Sequence, residues 1–304
     1  VQMNWFNPEG ESGTFIKELY GDTEYKIGSH HWMFPEMALA RQQVLITGVS
    51  GNKVTIKTPL LHNIKPSWNV SLTQWRHLKE VGFEHFRITF PQHQHIEHHL
   101  EPGFNGIYLT RLFNSWVKDI VIDNADSGVL SENMGNVTIE RVRTTGNSIA
   151  HYSVQIGGVN NVLVKDLIVD NPVIHPVSFN TLANKNVYLN TIINRQPKFD
   201  QHCGANQQNL FDNTKVKVTL ALNTNKQPSY PLFKGGGAPY WKPTHGQFNT
   251  FWNTRVEFTN GSQLEKPIVL NGIKDAPNGR LVGFSANLPI KLKYDPTAYI
   301  EGLG

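Results

Sequence analysis

The 304-residue chain holds one cysteine, Cys203, so no internal disulfide can staple it. No apolar run approaches the roughly twenty residues that span a bilayer as a helix, so a membrane is not an expected partner. No secretory-type segment opens the chain at Val1, so a mature or trimmed form is expected. Charge is sparse as well: Asp, Glu, Lys and Arg make up 17% of residues, and no dense Lys/Arg run occurs. Nucleic acid is therefore not expected either. The formal net charge of +4 is a mild basic balance that favours an acidic partner, and an acidic polysaccharide suits it best. The middle of the chain also lacks the 3.6-residue spacing of amphipathic helices.

In its place stands a repeat. One phrase returns four times between Asn114 and Asn194: Ser115-Trp-Val-Lys-Asp-Ile-Val-Ile-Asp-Asn, Asn136-Val-Thr-Ile-Glu-Arg-Val-Arg-Thr-Thr, Asn161-Val-Leu-Val-Lys-Asp-Leu-Ile-Val-Asp and Asn186-Val-Tyr-Leu-Asn-Thr-Ile-Ile-Asn-Arg. Aligned on Val117, Ile139, Val164 and Leu189, the period is 22, then 25, then 25 residues. Near-alternating Val, Ile and Leu with Asn or Gly at the edges denotes strands, and a repeat of this length is one supersecondary unit stacked on itself. The fold class expected is all-β, a solenoid with long loops on one face. Its core should take Val117, Val121, Ile139, Val142, Val164, Leu167, Leu189 and Ile192. One domain is expected over 1–304, with irregular coils and a hairpin over 1–80, solenoid coils over 81–290 and a capping tail over 291–304.

The Asn-Val-x-Val/Ile/Leu phrase, the variable loops and the abundant turn asparagines resemble the right-handed parallel β-helix of the pectate-lyase-like superfamily, over roughly residues 80 to 290. The resemblance implies a right-handed parallel β-helix and carbohydrate chemistry. It does not choose a reaction, because that superfamily holds lyases, glycoside hydrolases, epimerases, esterases and non-catalytic tailspikes.

Two features lie outside the repeat phrase. The run His93-x-His95-x-Glu97-His98 resembles the His-x-His-x-Asp-His metal motif of metallo-β-lactamase-type hydrolases, with Glu in place of Asp. Nothing else in the chain supplies the fold in which that motif works, so the run reads as a solvated polar loop, and no metal ligand is assigned. Asp126, in the turn Asn124-Ala-Asp-Ser-Gly, reads as a cap on backbone amides. Chemistry or Ca²⁺ binding is its alternative, which leaves the cofactor open with Ca²⁺ as the candidate.

Within the repeats, His151, His175 and His202 are 24 and 27 residues apart, close to one coil, so they are expected near one another on successive coils. Paired strands lie about 4.8 Å apart, and three imidazoles would then line a column. Protonating one raises the cost of protonating the next, which keeps a neutral imidazole near pH 7 as a base. Counting back from Val162 and Val187 pairs Ser153 with Ser178 and Gln155 with Asn180, all facing outward, with Val154 and Phe179 inward. His175 then joins the column only through a bend at Pro176-Val177. The other reading of the column is a polar ladder that satisfies itself. Cys203, adjacent to His202 on an extended strand, faces the other way and reads as a small buried residue.

Uronate β-elimination needs a cation for the carboxylate, a base for the C5 proton and an acid for the leaving oxygen. The candidates are Arg195 or Lys198 for the carboxylate and His202 as base, oriented by Asp200, with His151 and His175 tuning it. Ser153, Gln155 and Asn180, with Tyr240 and Trp241 in the long connection from Asn223 to Gln247, are the candidate substrate contacts. The expected function is a secreted or periplasmic polysaccharide lyase acting on an acidic glycan. Two alternatives stay open: a β-helical glycoside hydrolase using paired carboxylates among Asp123, Asp126, Asp170, Asp200 and Asp212, and a non-catalytic glycan-binding solenoid.

Overall fold

The structure, a computed structural model, describes residues 1–24, 36–222, 227–236, 244–273 and 276–303. Parallel strands stacked coil on coil dominate it. A fourteen-stranded sheet makes two bent faces, and a five-stranded sheet made by Asn105–Thr110, Ser127–Glu132, Ala150–Gly157, Val173–Asn180 and Phe199–His202 makes the third. Ser229–Tyr230, Ile268–Ile273 and Ile290–Tyr294 pair as a separate parallel sheet further along the chain. The chain is a parallel β-helix, as the repeat requires. None of its helices is long and apolar enough to cross a membrane among the described residues.

Register explains the core. Val117, Ile139, Val164, Tyr188, Phe211, Phe251 and Leu281 stand opposite one another on successive coils, and all are buried. Beside them run Ile122, Thr144, Val169, Ile193, Val216 and Val256. Each buried aliphatic or aromatic side chain contributes roughly 1.5–3 kcal/mol over exposure. Between the two columns the chain turns on a single left-handed residue, at Asp119, Arg141, Asp166, Asn190, Asn213 and Asn253 in turn. Asp and Asn tolerate that conformation better than most side chains, and here they also link coils: Asn190 Nδ2 donates to Asp166 Oδ1 at 3.0 Å, and Asn213 Nδ2 to Asn190 Oδ1 at 2.7 Å.

Three expected core residues are displaced. Val121, Leu189 and Ile192 are half-buried, while Ile120, Ile122, Tyr188 and Ile193 fill the interior. Leu189 moves because Asn186 is not the counterpart of Asn161. Asn161 is a left-handed turn residue, a post that Lys185 fills one coil on. Asn186 is buried instead and begins an internal ladder: its amide and side chain donate to Asn209 Oδ1, and those of Asn209 to Asn249 Oδ1, at 2.9–3.2 Å. The true step from Val164 to Tyr188 is therefore 24 residues.

Among the described strands of the first eighty residues, Leu78–Lys79 alone joins the solenoid, parallel to Leu112–Phe113. Gln2–Trp5 is flanked antiparallel by Ala40–Gln43 and Ser71–Thr73, and with the helix Thr14–Tyr20 they enclose a second apolar cluster around Trp5, Phe15 and Trp68. This unit lies along one corner of the solenoid. Gln43 bonds Asn133 and Asn160, Gln207 bonds His62, and Gln247 N donates to Leu19 O at 2.8 Å. The expected hairpin is present, as Ile46–Ser50 against Lys53–Ile56. The tail adds strands: Ile290–Tyr294 and Tyr299–Leu303 pair parallel with Ile268–Ile273 and Arg280–Ala286.

Candidate functional site

The five-stranded sheet brings three chain segments side by side. Tyr152 stands opposite His175, Gln155 opposite Ser178 and Asp200, and Gly157 opposite Asn180 and His202. The strand runs straight through Pro176 with a constant offset, so the expected bend is absent and the length difference falls in the turn after Asn180. The histidines therefore do not stack as a register column. His175 and His202 converge instead on one carboxylate: Asp200 Oδ2 lies 2.9 Å from His175 Nδ1 and 3.0 Å from His202 Nδ1.

Asp200 is fully buried. Besides the imidazoles, Ser178 Oγ donates to its Oδ2 at 2.8 Å and Gly236 N to its Oδ1 at 2.6 Å. Burial alone would raise the carboxyl, but His175 and His202 override it and hold Asp200 well below the usual carboxylate range. In return, burial works against the charged form of His202, and the Asp200 carboxylate outweighs it and raises the imidazole above its ordinary value. His202 thus keeps Nδ1 on the carboxylate and has Nε2 for other work.

Around this centre sit Tyr152 and Glu101, which the sequence did not single out, and the histidine-rich loop. Tyr152 stacks on His151 at 4.4 Å between centroids and lies 5.2 Å from His175. Burial, with Asp200 adding to it, drives its hydroxyl far upward, so the phenol stays protonated. Asn180 Nδ2 donates to that hydroxyl at 3.4 Å. From the histidine-rich loop, His98 comes within 4.3 Å of His151 and 5.9 Å of His175, and Glu101 Oε1 reaches His151 Nδ1 at 3.1 Å. Burial, then the neighbouring imidazoles, push His151 down to about 4. Among the described residues, two sets gather ligand atoms within 4.8 Å as a metal would require: His98, His99 and His151, and His175, Asp200 and His202.

The remaining expected residues divide. Lys198 is half-buried, its Nζ donates to Ile174 O at 3.1 Å, and burial lowers its ordinary value despite Asp200. Exposed Arg195 stands with Lys198, Lys217 and Tyr230 around an 830 Å³ pocket bounded by residues 172–174 and 229–231, next to His175 in the chain. Ser153 is a correction: it faces the interior, fully buried and 2.8 Å from Thr144 Oγ1. Gln155 is half-buried, and its Oε1 accepts from Ser131 N at 3.0 Å, which makes it a link between coils. Tyr240 and Trp241 lie outside the described residues. Cys203 is buried, and burial together with Asp200 pushes its thiol up to about 12, as befits an inert side chain. Phe233, in the same connection, pins its loop against Phe199 and Phe251.

Of the hydrolase carboxylates, Asp126, Asp170 and Asp123 go to separate partners. Asp126 Oδ2 caps the amides of Gly103 and Phe104, as its turn predicts, and its Oδ1 meets His93 Nε2 at 2.7 Å. Asp170 pairs with Arg143 and Asn194, and Asp123 lies 3.7 Å from Arg87. His93 and His98 therefore belong to different clusters, which dissolves the metallo-β-lactamase-like spacing. His98, His99 and Glu101 carried one legible signal, the density of histidine in a short loop; Tyr152, on a strand, carried none. No known protein family, no curated protein and no solved structure matches the chain.

Proposed function

We propose that the protein is a polysaccharide lyase that cleaves a uronate-containing glycan by β-elimination, on a pectate-lyase-like β-helix. The observation that carries the reading is the fully buried Asp200 carboxylate shared by His175 and His202, beside a phenol kept protonated. His202 Nε2 removes the C5 proton while Asp200 holds its Nδ1–H. The electron pair left on C5 forms the C4=C5 double bond as the C4–O4 bond breaks, and the Tyr152 hydroxyl gives its proton to O4. Lys198 and Arg195 meet the uronate carboxylate and stabilise the negative charge that builds on it. Asn180 orients the Tyr152 hydroxyl. A polymeric glycan does not cross a membrane intact, so the reaction belongs in a secreted or periplasmic setting.

The test is a panel of acidic and neutral polysaccharides, read for the ultraviolet absorbance of the unsaturated product and for new reducing ends. Both signals together on an acidic glycan are the expected result. Reducing ends alone mean hydrolysis and overturn the reading. Binding without either signal means a glycan-binding solenoid and overturns it too.

A further inference from the structure

Three imidazoles meet at the mouth of the site with little to hold them there. The ring centroids of His98 and His99 are 4.0 Å apart, His98 and His151 are 4.3 Å apart, and His99 and His151 are 5.1 Å apart. Neighbouring residues of an extended chain point opposite ways, yet His98 and His99 face the same cluster, because His99 takes a left-handed backbone (φ 72°) that bulky side chains seldom adopt. His151 is fixed on its strand and largely buried. Its Nδ1 lies 3.1 Å from Glu101 Oε1, while that oxygen and His151 Nε2 are both buried with no hydrogen-bond partner. A buried imidazole nitrogen left bare is costly, and a carboxylate beside the opposite ring nitrogen is placed to orient the ring when a metal binds.

We infer that His98, His99 and His151 bind a divalent transition-metal ion of the zinc class. An all-imidazole set favours Zn²⁺, Co²⁺, Ni²⁺ or Cu²⁺ over Ca²⁺ and Mg²⁺, which prefer oxygen. The donor atoms lie within 4.8 Å of one another. Zinc–nitrogen bonds of about 2.0–2.1 Å need somewhat closer approach, which the two exposed loop histidines supply by closing on the fixed His151. The neighbouring set of His175, Asp200 and His202 is a poorer host, because Ser178 and Gly236 already donate to the carboxylate oxygens. The inference does not rest on the lyase reading.

Metal alone tests it. Untagged protein is stripped with a chelator and titrated with Co²⁺, read by visible absorption, and with Zn²⁺, read by calorimetry; turnover plays no part. The expected result is one saturable ion per chain. The double variant His98→Ala/His99→Ala should weaken it at least tenfold with an unchanged melting temperature. Glu101→Gln should weaken it about tenfold, the usual effect of losing a carboxylate behind a histidine ligand. His202→Ala should leave affinity unchanged. Absence of saturable binding, affinity untouched by the double variant, or loss of the ion on His202→Ala each overturns the site.

Discussion

The backbone amide of Gly236 donates to Asp200 Oδ1 at 2.6 Å, across 36 residues of sequence. The carboxylate at the centre of the candidate site is therefore held partly by a loop that belongs to a later coil. Replacing Asp200 removes an acceptor on which four groups converge.

Asp200→Asn should lower the titration midpoint of His202, measured by NMR, because the charge that raises it is gone while burial still opposes protonation. With His202 as base, wild-type turnover should rise with pH through the raised value, and the variant's rising limb should move to lower pH. Turnover should fall about 10²- to 10⁴-fold with the loss of an oriented base. An unmoved His202 titration would remove Asp200 from the site.

The same pair sets a pH window for stability. Asp200 is depressed, so its contribution is present above the ordinary 3.8 and is lost as pH falls through the lower folded value. His202 is raised, so its contribution is full below 6.5 and is lost as pH rises through the higher folded value. The melting-temperature gap between wild type and Asp200→Asn should therefore be widest between pH 3.8 and 6.5. A gap independent of pH would mean that only the uncharged hydrogen bonds matter.

Tyr152→Phe keeps the ring stacked on His151 and deletes the proton donor. Turnover should drop by about 10²- to 10⁴-fold, with the melting temperature within a degree or two. Full activity in this variant would assign the leaving-group proton elsewhere.

The core register is checked by two neighbours. Tyr188 is fully buried, and its hydroxyl lies 2.9 Å from Val154 O, so Tyr188→Ala should cost about 3–5 kcal/mol in urea unfolding. Leu189→Ala, one residue on and half-buried, should cost about 1 kcal/mol or less. The reverse order would restore the alignment of Leu189 with Val164.

Much of the solenoid was legible because apolar alternation survives any loop length: Val117, Ile139 and Val164 sit where their spacing puts them. The slip at Leu189 arose because two chemically identical asparagines do different work, Asn161 turning the chain and Asn186 bridging coils inside it. Ser153 failed for the same reason, since a serine with a buried partner, here Thr144, looks like any outward serine in the sequence. The proximity of His175, Asp200 and His202 was readable from the coil period, although not their meeting on Asp200. The histidine-rich loop was visible in the sequence, but where His98 and His99 dock was not, because a loop that folds back over a sheet leaves no period behind.

The amino-terminal unit, lying along the corner of several coils, imposes an order on folding. Gln247 Nε2 reaches back 229 residues to Glu18 O. The strands Gln2–Trp5 and Ala40–Gln43 are made before the coils they dock on, and the partners that Gln43 and Leu19 meet at Asn160 and Gln247 exist only after those coils have been made. Local coil pairing is quick, whereas closing so long a span is slow. The earliest residues of this chain are therefore the last to dock, and their arrival ties together coils that would otherwise fray one at a time.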